Sequence, residues 1–222
     1  MKNLTKFTAL AIAVICIQIV CTNPASAFTP WTNSSGSAAN FDWENGGSDT
    51  GLFGDPNLSG GNTFVFFPKD FIATSVGGEI AEVSDTLTFD LIVHPGASVT
   101  GIQISEYGDY GILGNGLVDM SSILTTENLI TPQTESDILN NPTMPADFGT
   151  GAWFANGGVS LNGWKHLRVT LSNDLIAISD LDSVAFIQKK IVGDSVAITI
   201  IPEPATLALL AGGIAYLRRK KN

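Results

Sequence analysis

An all-β fold, an antiparallel β-sandwich of jelly-roll type, is what this sequence predicts, on three observations. Apolar residues recur at every second position, as in "DTLTFDLIVH" (Asp85 to His94), which is the period of a strand with one buried face. The periodic stretches are short and are separated by Gly, Asn and Asp turn residues. The central part, 28–200, has the length of one domain, and it shows no internal repeat.

Taken in order, Trp31 to Gly61 is rich in Gly, Ser and Asn with aromatic residues set into it, and is expected to form long loops around one or two short strands. A strand is expected at Asn62 to Phe67. Asp85 to His94 places Leu87, Phe89, Leu91 and Val93 on one face and Thr86, Thr88 and Asp90 on the other. "HPGA" turns the chain, and Ser98 to Ser105 forms the next strand with Ile102 and Ile104 inward. Thr125 to Gly151 contains three prolines, and one helical turn is expected at Glu135 to Leu139, capped by Thr134. "WKHLRVTLSND" puts Leu167, Val169 and Leu171 inward and His166, Arg168 and Thr170 outward. Further strands follow at Leu175 to Ser179, Ser183 to Lys189 and Ser195 to Ile201.

The two ends differ in kind. Residues 1–27 carry Lys2 and Lys6, an apolar stretch from Phe7 to about Cys21, and the small residues Ala25-Ser26-Ala27. That order is the charged start, apolar centre and A-x-A exit of a signal-peptide helix, with cutting by signal peptidase expected after Ala27 and recognition through Ala25 and Ala27. At the other end, 201–222, Pro202-Glu203-Pro204 precedes thirteen apolar residues, Ala205 to Leu217, and the basic cluster Arg218, Arg219, Lys220, Lys221. As a helix this run spans about 20 Å against a hydrocarbon core of about 30 Å. Alone it is short for a transmembrane helix, but basic side chains that snorkel to one surface allow transient insertion in the inner membrane with the basic end in the cytoplasm.

This tail resembles the PEP-CTERM sorting signal of bacteria that make extracellular polysaccharide. The resemblance rests on Pro202, Glu203 and Pro204, the hydrophobic run containing Gly212 and Gly213, and Arg218 with Arg219, and it covers about the last 22 residues. It implies recognition by an exosortase, a membrane protease-transferase that cuts near Pro-Glu-Pro and passes the protein to the cell surface or extracellular matrix. The expected protein is therefore a secreted surface or matrix component that associates with exopolysaccharide.

Charge and cysteine usage narrow the middle. The chain carries a formal net charge of -10. Between Phe28 and Ile201 only five basic residues face twenty acidic ones, so nucleic acid and anionic lipid surfaces are repelled. Both cysteines, Cys16 and Cys21, lie in the first apolar stretch, which excludes disulfides, thiolate metal sites and cysteine nucleophiles from the folded part.

Catalytic chemistry has little to draw on. The two histidines, His94 and His166, sit in no metal-spaced cluster, and no G-x-S-x-G occurs. No cofactor is required by any motif. For Ca2+ the candidates are Glu106 and Asp109 in "SEYGDYG", read as a turn between glycines, while Asn40, Asp42 and Glu44 in "NFDWEN" mimic the start of a calcium loop but lack its Gly and its bidentate Glu. For carbohydrate stacking the candidates are Trp43, Tyr107, Tyr110 and Trp153. The reading is a non-catalytic structural or carbohydrate-interacting module. The competing class is a secreted glycan-active enzyme, which needs two carboxylates placed across a sugar ring.

Overall fold

The alternation of Leu87, Phe89, Leu91 and Val93 becomes the inward face of a strand longer than the pattern alone marks, Ile80–Val93. The computed structural model describes residues 28–139, 149–189 and 195–203. Every regular element among them is a strand: β1 Thr29–Pro30, β2 Gly36–Ser37, β3 Phe41–Ser48, β4 Asn57–Ser59, β5 Thr63–Phe66, β6 Ile72–Val76, β7 Ile80–Val93, β8 Val99–Leu113, β9 Gly116–Asn128, β10 Gln133–Ile138, β11 Gly149–Trp164, β12 His166–Ser179, β13 Val184–Lys189 and β14 Val196–Pro202.

They form two antiparallel seven-stranded sheets, the layers of a sandwich. Sheet A runs β1-β3-β7-β12-β9-β10, with β2 against β3. Sheet B is built around β8. One edge of β8 pairs with β11 along its length, and the other pairs with β14 over 99–106 and with β13 over 108–113. Beyond these, β5 and β4 extend the β14 side and β6 the β13 side.

The core is what the two inner faces enclose. Leu167, Val169 and Leu171 of β12 are fully buried and interleave with Leu87, Phe89 and Leu91 of β7, while Ile102 and Ile104 of β8 and Ile198 and Ile200 of β14 supply the facing side. One end of the sandwich is filled by aromatic rings. Phe64 lies 4.9 Å from Phe89, 5.5 Å from Trp43 and 6.1 Å from Trp31, measured between ring centroids. The Gly/Ser/Asn-rich N-terminal stretch thus contributes β2 to β4, and its aromatic residues are the reason: Trp31 and Phe41 pin otherwise loop-like chain to the core. Asp85 holds the loop that follows β3 by accepting hydrogen bonds from the backbone N–H of Thr50 at 2.9 Å and Leu52 at 2.8 Å.

Three expectations are corrected. The helical turn at Glu135 to Leu139 is β10, in register with β9 from Gln133 opposite Asn128 to Ile138 opposite Ile123. Cross-strand pairing outweighs the local capping pattern there, and Asn128 instead closes the hairpin by accepting from the N–H of Ile130. "YGDYG" is no turn: it lies inside β8, where Gly108 lets Trp153 pack directly on the backbone, since a Cβ would stand 2.1 Å from the indole. Leu175 to Ser179 continues β12 without a break after "SND".

The helices expected at the two ends lie outside the described residues, as do Ala25, Ala27, Pro204, Arg218 and Arg219. Pro202 closes β14 opposite Val99, and Glu203 donates its N–H to Ser98 O at 2.9 Å and accepts from the Ser98 hydroxyl. The start of the Pro-Glu-Pro segment is thus continuous with sheet B. Among the described residues no helix is long and apolar enough to cross a membrane.

Candidate functional site

Strand parity decides which side chains of β8 reach solvent. Ile102, Ile104, Glu106, Tyr110 and Ile112 point into the sandwich, whereas Gln103, Ser105, Tyr107 and Asp109 point out from sheet B. On β11 the inward set is Trp153, Ala155, Val159 and Leu161, which leaves Phe154, Asn156, Gly158 and Ser160 on the same outer face. Register places Tyr107 opposite Phe154, Ser105 opposite Asn156 and Gln103 opposite Gly158. On the other flank, Thr199 of β14 stands opposite Gln103, and its hydroxyl lies 3.1 Å from that of Thr63.

The result is a shallow open groove of ≈ 610 Å³ across β11, β8 and β14. Its floor is low because Gly101 and Gly158 carry no side chain where a Cβ would press on neighbouring carbonyls at 2.9 and 2.7 Å. Amide and hydroxyl groups from Gln103, Ser105, Asn156 and Thr199 line it, and none of its lining residues is acidic or basic. Directly beyond Ser105 and Asn156 stands the Tyr107–Phe154 pair, ring centroids 4.5 Å apart, each about two-fifths exposed. Neutral donors and acceptors beside exposed aromatic faces suit an uncharged, hydroxyl-rich ligand.

Of the aromatic residues predicted from sequence, Tyr107 alone is on this face. Trp153 is buried against Lys189 and donates its indole N–H to Gln188 O at 3.2 Å. Tyr110 is also buried, and Trp43 stacks edge-on against Phe64 with its N–H on Asn33 O. Trp153 and Tyr110 offer no open face, and Trp43 is half-buried against the core on the other sheet. Phe154 was not anticipated; the signal was its adjacency to Trp153, because neighbours in a strand take opposite faces.

The calcium candidates do not converge either. Glu106 is fully buried and Asp109 points out of the opposite face of the same strand. Asp42 is engaged by His94, whose Nε2 lies 2.9 Å from its Oδ1. Hydrogen bonds from Ser37 and His94 hold the Asp42 carboxyl below its usual range, and the bond to Asp42 raises His94. No group of three His, Cys, Asp or Glu suited to a metal ion occurs among the described residues.

A second charged cluster covers the outer face of sheet A. Arg168 grips Asp90 in bidentate fashion, Nε to Oδ1 at 2.8 Å and Nη2 to Oδ2 at 3.0 Å, and Asn45 adds a bond of 2.9 Å. Burial opposes ionisation of Asp90, but the Arg168 and Asn45 bonds outweigh it and the carboxyl is lowered. Three hydrogen bonds converge on the one carboxylate, and they make the cluster a clasp between β3, β7 and β12.

No family model matches the chain, and no curated protein matches it. Among solved structures, the chain has a faint likeness to TmCBM61, solved in complex with β-1,4-galactotriose, at 9% identity and a TM-score of 0.26, over 76% of this chain and 96% of that one. Another is the enzymatically active domain of bacteriophage CBA120 tailspike protein 4, at 8% identity and a TM-score of 0.25, over 77% of this chain and 21% of that one. A third is infectious bursal disease virus strain Gx, at 10% identity and a TM-score of 0.23, over 70% of this chain and 49% of that one. At these scores the likenesses carry no argument about this protein.

Proposed function

We propose that this is an exported bacterial surface or matrix protein whose sandwich binds extracellular polysaccharide without cleaving it, through the outer face of sheet B. The observation that carries the reading is the groove of Gln103, Ser105, Asn156 and Thr199 ending at the exposed Tyr107–Phe154 pair. Sugar hydroxyls match neutral amides and hydroxyls, and the apolar face of a pyranose stacks on an aromatic ring. The open shape accommodates a chain at internal positions. The competing enzyme reading has less support, because the groove is lined by no carboxylate and hydrolysis needs two.

Export and sorting rest on the terminal segments, 1–27 and the tail from Pro202, with signal peptidase and an exosortase as processing partners. Both ends are expected to be missing from protein recovered outside exosortase-bearing cells, and the tail to persist in cells lacking that enzyme. Intact mass of the two fractions reads this directly.

Binding is tested by titrating the protein with polysaccharide from the producing cells. Tyr107→Ala and Phe154→Ala are each expected to weaken binding about ten-fold, equivalent to about 1.4 kcal/mol. Trp43→Phe, on the other sheet, is expected to leave it unchanged. Release of reducing ends during the titration would favour the enzyme.

A further inference from the structure

We propose that Lys189 and Asn173 become joined by an intramolecular isopeptide bond inside the sandwich, formed with Glu106 as the proton-transferring group. Three polar residues occupy core positions on three strands. Lys189 ends β13 and Glu106 sits in β8, both in sheet B, while Asn173 lies in β12 of sheet A; their exposures are 1%, 0% and 1%. Lys189 Nζ lies 3.1 Å from Glu106 Oε2, and Asn173 Nδ2 donates to Glu106 Oε1 at 2.9 Å. One carboxylate therefore holds an amine and a carboxamide side by side.

The surroundings favour reaction over simple ion pairing. Lys189 Nζ is 5.3 Å from the ring centroids of Phe71 and Trp153 and 5.9 Å from that of Phe53. Burial among these rings lowers the lysine below its ordinary range, against the pull of Glu106, and a neutral amine is a nucleophile whereas an ammonium is not. The rings also exclude the water that would compete for the amide. Asn173 Oδ1 has no hydrogen-bond partner, so the carboxamide gives up only its Nδ2–H bond to Glu106 when it rotates to present that oxygen to the protonated Glu106.

The step balances without an added reagent. Lys189 gives one proton to Glu106, and the freed lone pair attacks Asn173 Cγ while Glu106 shares the proton with the developing oxyanion. The Nζ–Cγ bond forms and the Cγ–Nδ2 bond breaks. The departing nitrogen takes one hydrogen from Nζ and the proton from Glu106, leaves as ammonium, and Glu106 is again a carboxylate beside the new amide N–H. Carbon and nitrogen keep their oxidation states. The product ties sheet A to sheet B in a domain with no cysteine from 28 to 203.

The test uses the full chain, denatured and cut on the N-terminal side of aspartate. Asp174, Asp180 and Asp182 all lie between the two reacting residues, so the fragments holding Asn173 and Lys189 stay together only if a side-chain bond joins them. The expected result is one joined species, lighter than its two parts by about 17 Da for the ammonia lost, with the link placed at Lys189 and Asn173 by fragmentation. Glu106→Gln is expected to give two separate fragments of unmodified mass. Separate fragments from the wild-type chain would overturn the proposal, and so would the same mass loss confined to the Asn173 fragment, which marks cyclisation onto its own backbone. The wild-type result decides even if the variant fails to fold.

Discussion

Glu106→Ala is expected to lower the melting temperature by about 10 °C, from a loss of about 3–5 kcal/mol. The reason is what it strands: Lys189 keeps a fully buried amine among Phe53, Phe71 and Trp153 with no counter-charge, and Asn173 loses its carboxylate acceptor. Before Lys189 is joined to Asn173, its ion pair with Glu106 is itself weak evidence of stability, because both charges have been taken out of water. The double variant Glu106→Leu, Lys189→Met is therefore expected to melt above the single variant. Thermal unfolding of both, followed by circular dichroism, checks the order. A single variant as stable as the wild type would mean that Lys189 reaches solvent.

Phe64→Ala is expected to cost about 3–5 kcal/mol, the usual range for removing a large aromatic side chain from a core. Phe64 is almost fully buried and touches the rings of Trp31, Phe41, Trp43 and Phe89, which come from sheet A and the segment leading into it. Its loss leaves a cavity where sheet B meets the N-terminal strands. β1 and β2 are two residues each and β3 ends in Gly-Gly-Ser, so they cannot close over the gap by themselves. Urea unfolding gives the free-energy change, and tryptophan emission reports whether Trp31 and Trp43 become wet before global unfolding. A loss under about 1 kcal/mol would place Phe64 outside the load shared by the two sheets.

How much of this was legible depended on whether a strand's polarity followed its burial. In β7 and β12 it did, and Leu87 to Val93 and Leu167 to Leu171 read directly as inward faces. β9 has buried Ser122 and Thr126 on its inner face and exposed Leu117 and Ile123 outside, so its alternation is scrambled. β11 is diluted by glycine, and only its pairing with β8 fixes which face Trp153 takes. The aromatic residues therefore stand out by type alone: Tyr110 and Trp153 lie in the core, Trp43 is half-buried against it, and Tyr107 is exposed.

The reactive cluster, by contrast, leaves a trace in the sequence. Glu106 continues the phase of Ile102 and Ile104, Asn173 that of Leu167, Val169 and Leu171, and Lys189 that of Ala185 and Ile187. Three polar residues in apolar phase mark three inward positions. What no pattern supplies is that β8, β12 and β13 bring them to one point, since that depends on the pairing of β13 with β8 and the stacking of the two sheets.

Whether the outer face of sheet B holds polysaccharide is read from amide hydrogen exchange with and without saturating polysaccharide. Added protection is expected at 103–107, 154–158 and 197–199 alone, with none on the outer face of sheet A. Protection centred on Arg168 and Asp90, or no change at any segment, would contradict binding on the outer face of sheet B.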